Sequence, residues 1–180
     1  MKGIIVYKGK YGATKQYADW LARDLQLPVF SADNIRALQL RAYDVILIGT
    51  SVYIGKLKIA AWLKENQSIL EGKKLFLFLV SGTKPTEREK LDAYVRSGIP
   101  DNIRVRCKIY FLPGRVILEK LSWKDRLLLN MGARLAKDSD GKRNKPVNFD
   151  DVKKEHLSEM IGAVKQTLVS EEVVLSASLS

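Results

Sequence analysis

A doubly wound α/β fold, with a five-stranded parallel sheet in the order 2-1-3-4-5, is predicted by three observations. Three short apolar runs, Ile4–Tyr7, Tyr43–Gly49 and Lys74–Val80, lack the polar alternation of a half-exposed strand and read as parallel strands buried on both faces. Segments of helical spacing separate them, as right-handed crossovers require. A short strand at Leu27–Phe30 and an alternating one at Arg104–Leu112 supply the two edges.

Each element has its own signal. After Ile4–Tyr7, Thr14 is placed to cap a helix in which Tyr17, Ala18, Leu21 and Leu25 share a face, while Lys15, Asp19 and Arg23 turn elsewhere. Leu27–Phe30 follows, then Ser31 or Asp33 caps a brief helix through Leu38. The third strand ends at Gly49 and leads into a loop, Thr50–Lys56. Ile59, Trp62, Leu63 and Ile69 predict a helix closed by Gly72. Pro85 suits the first turn of a helix carrying Leu91, Tyr94 and Val95 inward, ended by Gly98-Ile99-Pro100. In the fifth strand Val105, Cys107, Ile109 and Phe111 alternate with Arg104, Arg106, Lys108 and Tyr110, so one face is polar. An insertion, about 113–146, precedes a last helix with Val152, Leu157, Met160, Ile161, Val164 and Leu168 inward. The reading is one domain, 1–170, with a loose tail at 171–180.

The composition narrows the class. With 180 residues, 46% of them hydrophobic, the chain can bury one sizeable core. No run reaches the roughly 18 apolar residues of a membrane span, and the N-terminus has no signal-peptide layout, so the expected location is cytoplasmic. The single Cys107 reads as a packed thiol, the single His156 as a surface or core residue, and no Cys, His or carboxylate set has metal-ligand spacing. The net charge of +11 points instead to polyanionic partners: nucleic acid, an anionic membrane surface, or an acidic protein or substrate.

In a doubly wound sheet a ligand sits beyond the carboxyl ends of the strands where the order reverses, here between the first and third strands. A receiver domain would cluster carboxylates there, and this chain has Tyr7-Lys8-Gly9 and Thr50-Ser51. The stretch Gly9-Lys10-Tyr11-Gly12-Ala13-Thr14 is neither a P-loop nor a dinucleotide fingerprint, and Asp33 without that fingerprint reads as a helix cap. A phosphomonoester site remains: backbone N–H groups of Lys10 to Thr14 at a helix N-terminus wrap a dianion, helped by the Thr14 hydroxyl. The bland alternative is an ordinary glycine-containing strand-to-helix turn.

The segment Tyr7 to Ala18 resembles the phosphate loop of flavodoxins, Ser/Thr-x-Thr-Gly-x-Thr. Gly12 and Thr14 match its last glycine and threonine, while Gly9 and Tyr11 stand where that pattern has hydroxyl residues and Lys10 adds a charge. Within that superfamily the chain is similar to the menaquinone-dependent protoporphyrinogen oxidase group and its flavodoxin-domain relatives. The likeness runs through the phosphate loop, Ile48–Gly55, and the basic insertion with Trp123-Lys124-Asp125-Arg126. It implies FMN as cofactor. Thr50, Ser51, Val52, Tyr53, Ile54 and Gly55 would border the isoalloxazine, with Tyr53 or Ile54 against its face, and Ser81, Gly82 and Thr83 would form the opposite wall. No protein acid or base is expected to be catalytic.

The insertion holds nine basic against four acidic residues, and Ile117, Leu121, Leu128, Met131 and Leu135 share a helical face. Such a segment can lie on an anionic bilayer, cover the flavin pocket, or dock on the core with a solvated basic face. By the resemblance, its cations would hold porphyrinogen propionates while a quinone is met at the membrane. Two functions are therefore carried forward. One is an FMN-dependent oxidoreductase or electron carrier, with a redox partner or a quinone and porphyrinogen as substrates. The other is a flavin-free basic module for nucleic acid or membrane, using Arg104, Arg106, Lys108 and the insertion; aromatic stacking motifs for nucleic acid are missing.

Overall fold

The computed structural model describes residues 1–127 and 148–177, with side chains described as far as residue 169. Strands β1 (Gly3–Lys8), β2 (Val29–Ser31), β3 (Val45–Tyr53), β5 (Lys74–Ser81) and β6 (Cys107–Pro113) form a parallel sheet in the order β2-β1-β3-β5-β6. Counting only these five strands, the order is 2-1-3-4-5, as expected. A sixth short strand, β4 (Lys56–Leu57), pairs antiparallel with the end of β3. The central register sets Ile5 beside Leu47, Ile48 beside Leu77, and Leu77 beside Ile109.

The apolar runs lack alternation because both faces are covered. Ile4, Val6, Ile46, Ile48, Leu75 and Leu77 point to one layer, packing with α2 (Ala60–Glu65), α3 (Gln67–Leu70), α4 (Arg88–Gly98) and α5 (Asp101–Arg104). Ile5, Leu47, Phe76 and Phe78 point to the other, where α1 (Ala13–Leu25) supplies Tyr17 and Leu21, and α6 (Ser158–Ala177) supplies Met160 and Val164. Each such side chain, taken from water to full burial, contributes about 1.5–3 kcal/mol. Gly49 is required here: a Cβ at this position would lie 2.2 Å from Cζ of Phe78.

Several local expectations are corrected. Thr14 does not cap α1; Gly12, at φ 85°, is the cap residue and Thr14 lies inside the first turn. The segment after β2 is a turn followed by a 3-10 helix at Ala37–Ala42 rather than a helix through Leu38. There Ser31 Oγ accepts from the Asp33 amide, while Asp33 pairs with Lys8 at 2.6 Å. Thr50–Lys56 is no loop: β3 continues to Tyr53 and turns through Ile54-Gly55 into β4. The helix predicted over 59–69 is two, broken at Asn66, whose side-chain amide donates to the Trp62 carbonyl. Pro85 precedes α4 by a turn instead of starting it.

The edge strand starts at Cys107, because Pro100 introduces the helical turn α5. Val105 is consequently 75% exposed, and Arg104 and Arg106 leave the strand face to bond Asp101 and the Asn102 carbonyl. Arg104 and Arg106 therefore do not share a strand face with Lys108.

Of the insertion, Arg115–Val116 forms β7, paired antiparallel with β8 (Phe149–Asp150), and a 3-10 turn spans Leu118–Lys120. Ile117 and Leu121 are thus not on one long amphipathic helix; Leu128, Met131 and Leu135 lie outside the described residues. The segment read as a tail is helical to Ala177. Among the described residues no helix is long and apolar enough to cross a membrane.

Candidate functional site

A cleft of about 330 Å³ opens at the carboxyl ends of β1, β3 and β5. Its floor and walls come from three chain reversals that the sequence dictates locally. After β1, Gly9 lets the chain fold over itself, since a Cβ there would lie 2.7 Å from Cβ and Oγ1 of Thr14. Gly12 takes the left-handed conformation that starts α1, leaving the first-turn amides without intrahelical partners. After β3, the hairpin to β4 presents Ser51, Val52, Tyr53 and Ile54 to the cleft. After β5, Ser81 and Gly82 face it, and the Gly114 amide donates to the Ser81 carbonyl at 2.8 Å, drawing the β6–β7 turn against that wall.

Among the described residues, three side-chain hydroxyls around this cleft are buried without a hydrogen-bond partner: Tyr11 Oη, Thr14 Oγ1 and Ser51 Oγ. A buried hydroxyl left unpaired costs about 1–3 kcal/mol, so three in one cleft mark a place built to be completed by a polar ligand. Thr14 is 1% exposed and sits where the α1 amides converge.

A charged cluster spans the mouth. Asp125, only 6% exposed, is paired with Lys10 Nζ at 2.7 Å and accepts a short hydrogen bond from the Tyr53 hydroxyl. The Lys10 ammonium also lies 3.6 Å from the centre of the Tyr53 ring. Desolvation works against the Lys10 charge, but its hydrogen bonds with Asp125 and Tyr53 outweigh it and hold the pKa above the ordinary lysine value. Leu121 and Asp125 both line the cleft, so the beginning of the insertion closes over it. Arg115 reaches it from the opposite side, tied to Asp150 at 2.7 Å and to Gln16 at 2.9 Å. Tyr17 holds that side to α1 by donating to the Pro113 carbonyl, and burial pushes its hydroxyl up to about 12.

Of the residues singled out from sequence, Lys10, Tyr11, Ala13, Thr14, Ser51, Val52, Tyr53, Ile54, Ser81 and Gly82 line one cleft. Gly9 and Gly12 shape its loop from beneath. Thr50 is fully buried away from it; its Oγ1 accepts from the Ile59 amide at 3.2 Å and secures the chain leaving β4. Gly55 lines an adjoining groove, and Thr83 lines neither. Val80, Gly114, Arg115, Val116, Leu121 and Asp125 were missed as lining residues. Gly114 carried a signal, standing one residue past the last strand at the same carboxyl edge.

The cleft lies at the topological switch of a doubly wound sheet, beside the N-terminus of α1. Residues 4–142 match the family model described as flavodoxin domain, and the chain belongs to that family, which implies FMN as its cofactor. No curated protein matches the chain. Among solved structures it is similar to two-electron reduced Megasphaera elsdenii flavodoxin, at 17% identity over 62% of this chain and 83% of that one, with TM-score 0.44. It is also similar to an FMN-dependent NADH-azoreductase from Bacillus anthracis in complex with FMN, at 9% identity over 71% and 92%, TM-score 0.44. A Streptococcus pneumonia flavodoxin is 19% identical over 71% and 91%, TM-score 0.38. At such scores none of these three likenesses bears on the chemistry of the site.

The residues present fit FMN. A convergent set of free amides at the N-terminus of a three-turn helix, with the Thr14 hydroxyl, suits a phosphate dianion. The tyrosine and aliphatic side chains of the β3–β4 hairpin offer an apolar wall, and the cleft lies within the volume range of small-molecule sites.

Proposed function

We propose that this chain is an FMN-dependent redox protein, an electron carrier or oxidoreductase. The observation carrying the proposal is the set of three partnerless buried hydroxyls, Tyr11, Thr14 and Ser51, beside the free amides of α1. FMN, when bound, supplies the one- and two-electron chemistry. The protein's part is to bind, orient and shield. The α1 amides and the Thr14 hydroxyl would hold the phosphate, Ser51 and the neighbouring hairpin backbone would serve the ring edge, and Tyr53 or Ile54 would supply the apolar wall. Ser81 and Gly82 close the far wall. Leu121 excludes water from above, and Asp125 keeps the Lys10 charge fixed at the mouth. Adding FMN to flavin-free protein should quench flavin fluorescence at one equivalent; unchanged fluorescence at saturating protein would sink the proposal.

The narrower reading, oxidation of protoporphyrinogen with a quinone as acceptor, is supported by the sequence resemblance and by the position of Leu121 and Asp125 over the cleft. Its assay is the appearance of porphyrin fluorescence in an anaerobic mixture of FMN-loaded protein, protoporphyrinogen and menaquinone. No fluorescence above the protein-free blank removes this substrate and leaves the wider redox role. Contact of 113–146 with an anionic membrane belongs to the same reading. It requires salt-sensitive pelleting with phosphatidylglycerol vesicles and none with phosphatidylcholine.

A further inference from the structure

Beside the flavin cleft, and sharing Tyr53 and Ile54 with it, runs a second groove of about 750 Å³ between the β3–β4 hairpin, α2 and the end of α4. Three lysines line it, Lys56, Lys58 and Lys64, with Leu57, Ala60, Ala61 and Gly98 as an apolar base and no carboxylate among its lining residues. None of the three lysines takes part in an ion pair among the described residues. Gly98 lets α4 pack directly on the hairpin, since a Cβ there would lie 2.6 Å from Leu57 Cγ.

At the rim stands an anomaly. Ile54 has φ 48° and Gly55 φ 70°, so both central residues of the two-residue hairpin are left-handed. Asparagine followed by glycine meets that requirement with little strain, whereas a β-branched residue at the first position is costly. The Ile54 side chain is nevertheless 59% exposed and makes no core. A strained, exposed isoleucine contributes nothing to folding that asparagine would not do better, so its use is contact outside the chain, with the cofactor on the cleft side and with a partner on the groove side.

We infer that this groove is the docking surface for an acidic protein partner, with Ile54 as its apolar anchor and Lys56, Lys58 and Lys64 as its electrostatic guide. The partner's class rests on the redox reading: a protein docked here covers Tyr53 and Ile54, which line both the groove and the flavin cleft. Charge decides the occupant. A second copy of a chain of net charge +11 is repelled, while a carboxylate-rich surface meets three lysines that carry no ion pair among the described residues, Lys58 resting 5.5 Å from the Tyr53 ring centre, and no acid in the groove lining.

The test uses the full-length chain with and without FMN and an acidic [2Fe–2S] ferredoxin as probe, followed by calorimetry at low ionic strength. Binding should weaken steeply with salt, and the double charge reversal Lys56→Glu/Lys64→Glu should reduce affinity at least about tenfold. Neither lysine lines the flavin cleft, so FMN uptake by the double variant should equal that of the unchanged chain. In the flavin-free chain, where no cofactor lies against Ile54, Ile54→Asn should raise the melting temperature yet weaken ferredoxin binding, a combination that misfolding cannot produce. Lys154→Glu, on the opposite layer and paired with Asp24, is the control and should leave binding within about twofold. No binding by the unchanged chain, an equal loss in the control, or micromolar citrate binding in place of ferredoxin would each overturn the assignment. Failure of FMN uptake alone overturns the redox reading, because docking to the flavin-free chain is measured independently.

Discussion

Replacing Thr14 by valine should move two properties in opposite directions. The side chain is 1% exposed, packs over Gly9, and carries a buried hydroxyl with no partner. Valine keeps its shape, so no cavity or clash is introduced, and the unpaired oxygen disappears. Without FMN the variant should gain about 1 kcal/mol, the lower end of the cost of an unsatisfied buried hydroxyl. For a chain of this size that is a rise of about 2–4 °C in melting temperature. With FMN the same oxygen would donate to a charged phosphate, worth about 1.5–3 kcal/mol, so affinity should fall about 10- to 150-fold. Differential scanning fluorimetry of the flavin-free protein and fluorescence titration with FMN read the two effects. Thr14→Ser retains the hydroxyl and should bind within about threefold of the unchanged chain. A valine variant that binds FMN normally, or that is less stable without it, would refute the assignment of Thr14 to the phosphate.

Other perturbations probe the surrounding structure. Gly49→Ala drives a methyl to 2.2 Å from the Phe78 ring and should cost about 3 kcal/mol in urea unfolding, with Phe78→Leu restoring part of it in the double variant. Asp125→Asn removes the carboxylate that pairs with Lys10, leaving that charge to the phosphate loop. FMN affinity should rise severalfold at low salt, an effect that shrinks as salt is added. Burial pushes the Cys107 thiol up to about 12 from 9.0. The unfolded chain therefore loses its proton first as pH rises past 9, and stability falls between there and 12. The difference between pH 8 and pH 10 is about 1 kcal/mol, and Cys107→Ala should remove it from the urea midpoint.

The parallel sheet was legible because its central strands are buried on both faces, which leaves unbroken apolar runs such as Leu75–Val80. The edge was less so. A period-two pattern happens to begin at Arg104, but Pro100 and Asp101 start a helical turn there, and the alternation becomes structural only from Cys107. The β3–β4 hairpin was hidden for a related reason: Gly49 and Ser51 interrupt the apolar run, and the turn uses Ile54 where Asn would have announced it. Thr14 was read as a cap because its residue type suits one, whereas the positive φ of Gly12 sets the boundary two residues earlier. The turn after β1 that borders the cleft could be located from Gly9, Gly12 and Thr14, since close backbone approach and a helix start need those residue types. The closure of the cleft by Leu121 and Asp125 joins positions some seventy residues apart from Tyr53, a contact that no local pattern encodes.

Isothermal titration of the purified, flavin-free chain with FMN bears most directly on the whole account. A single class of sites with a stoichiometry of one, its affinity lowered about 10- to 150-fold in Thr14→Val, is the predicted result. Folded protein that takes up no FMN would contradict it.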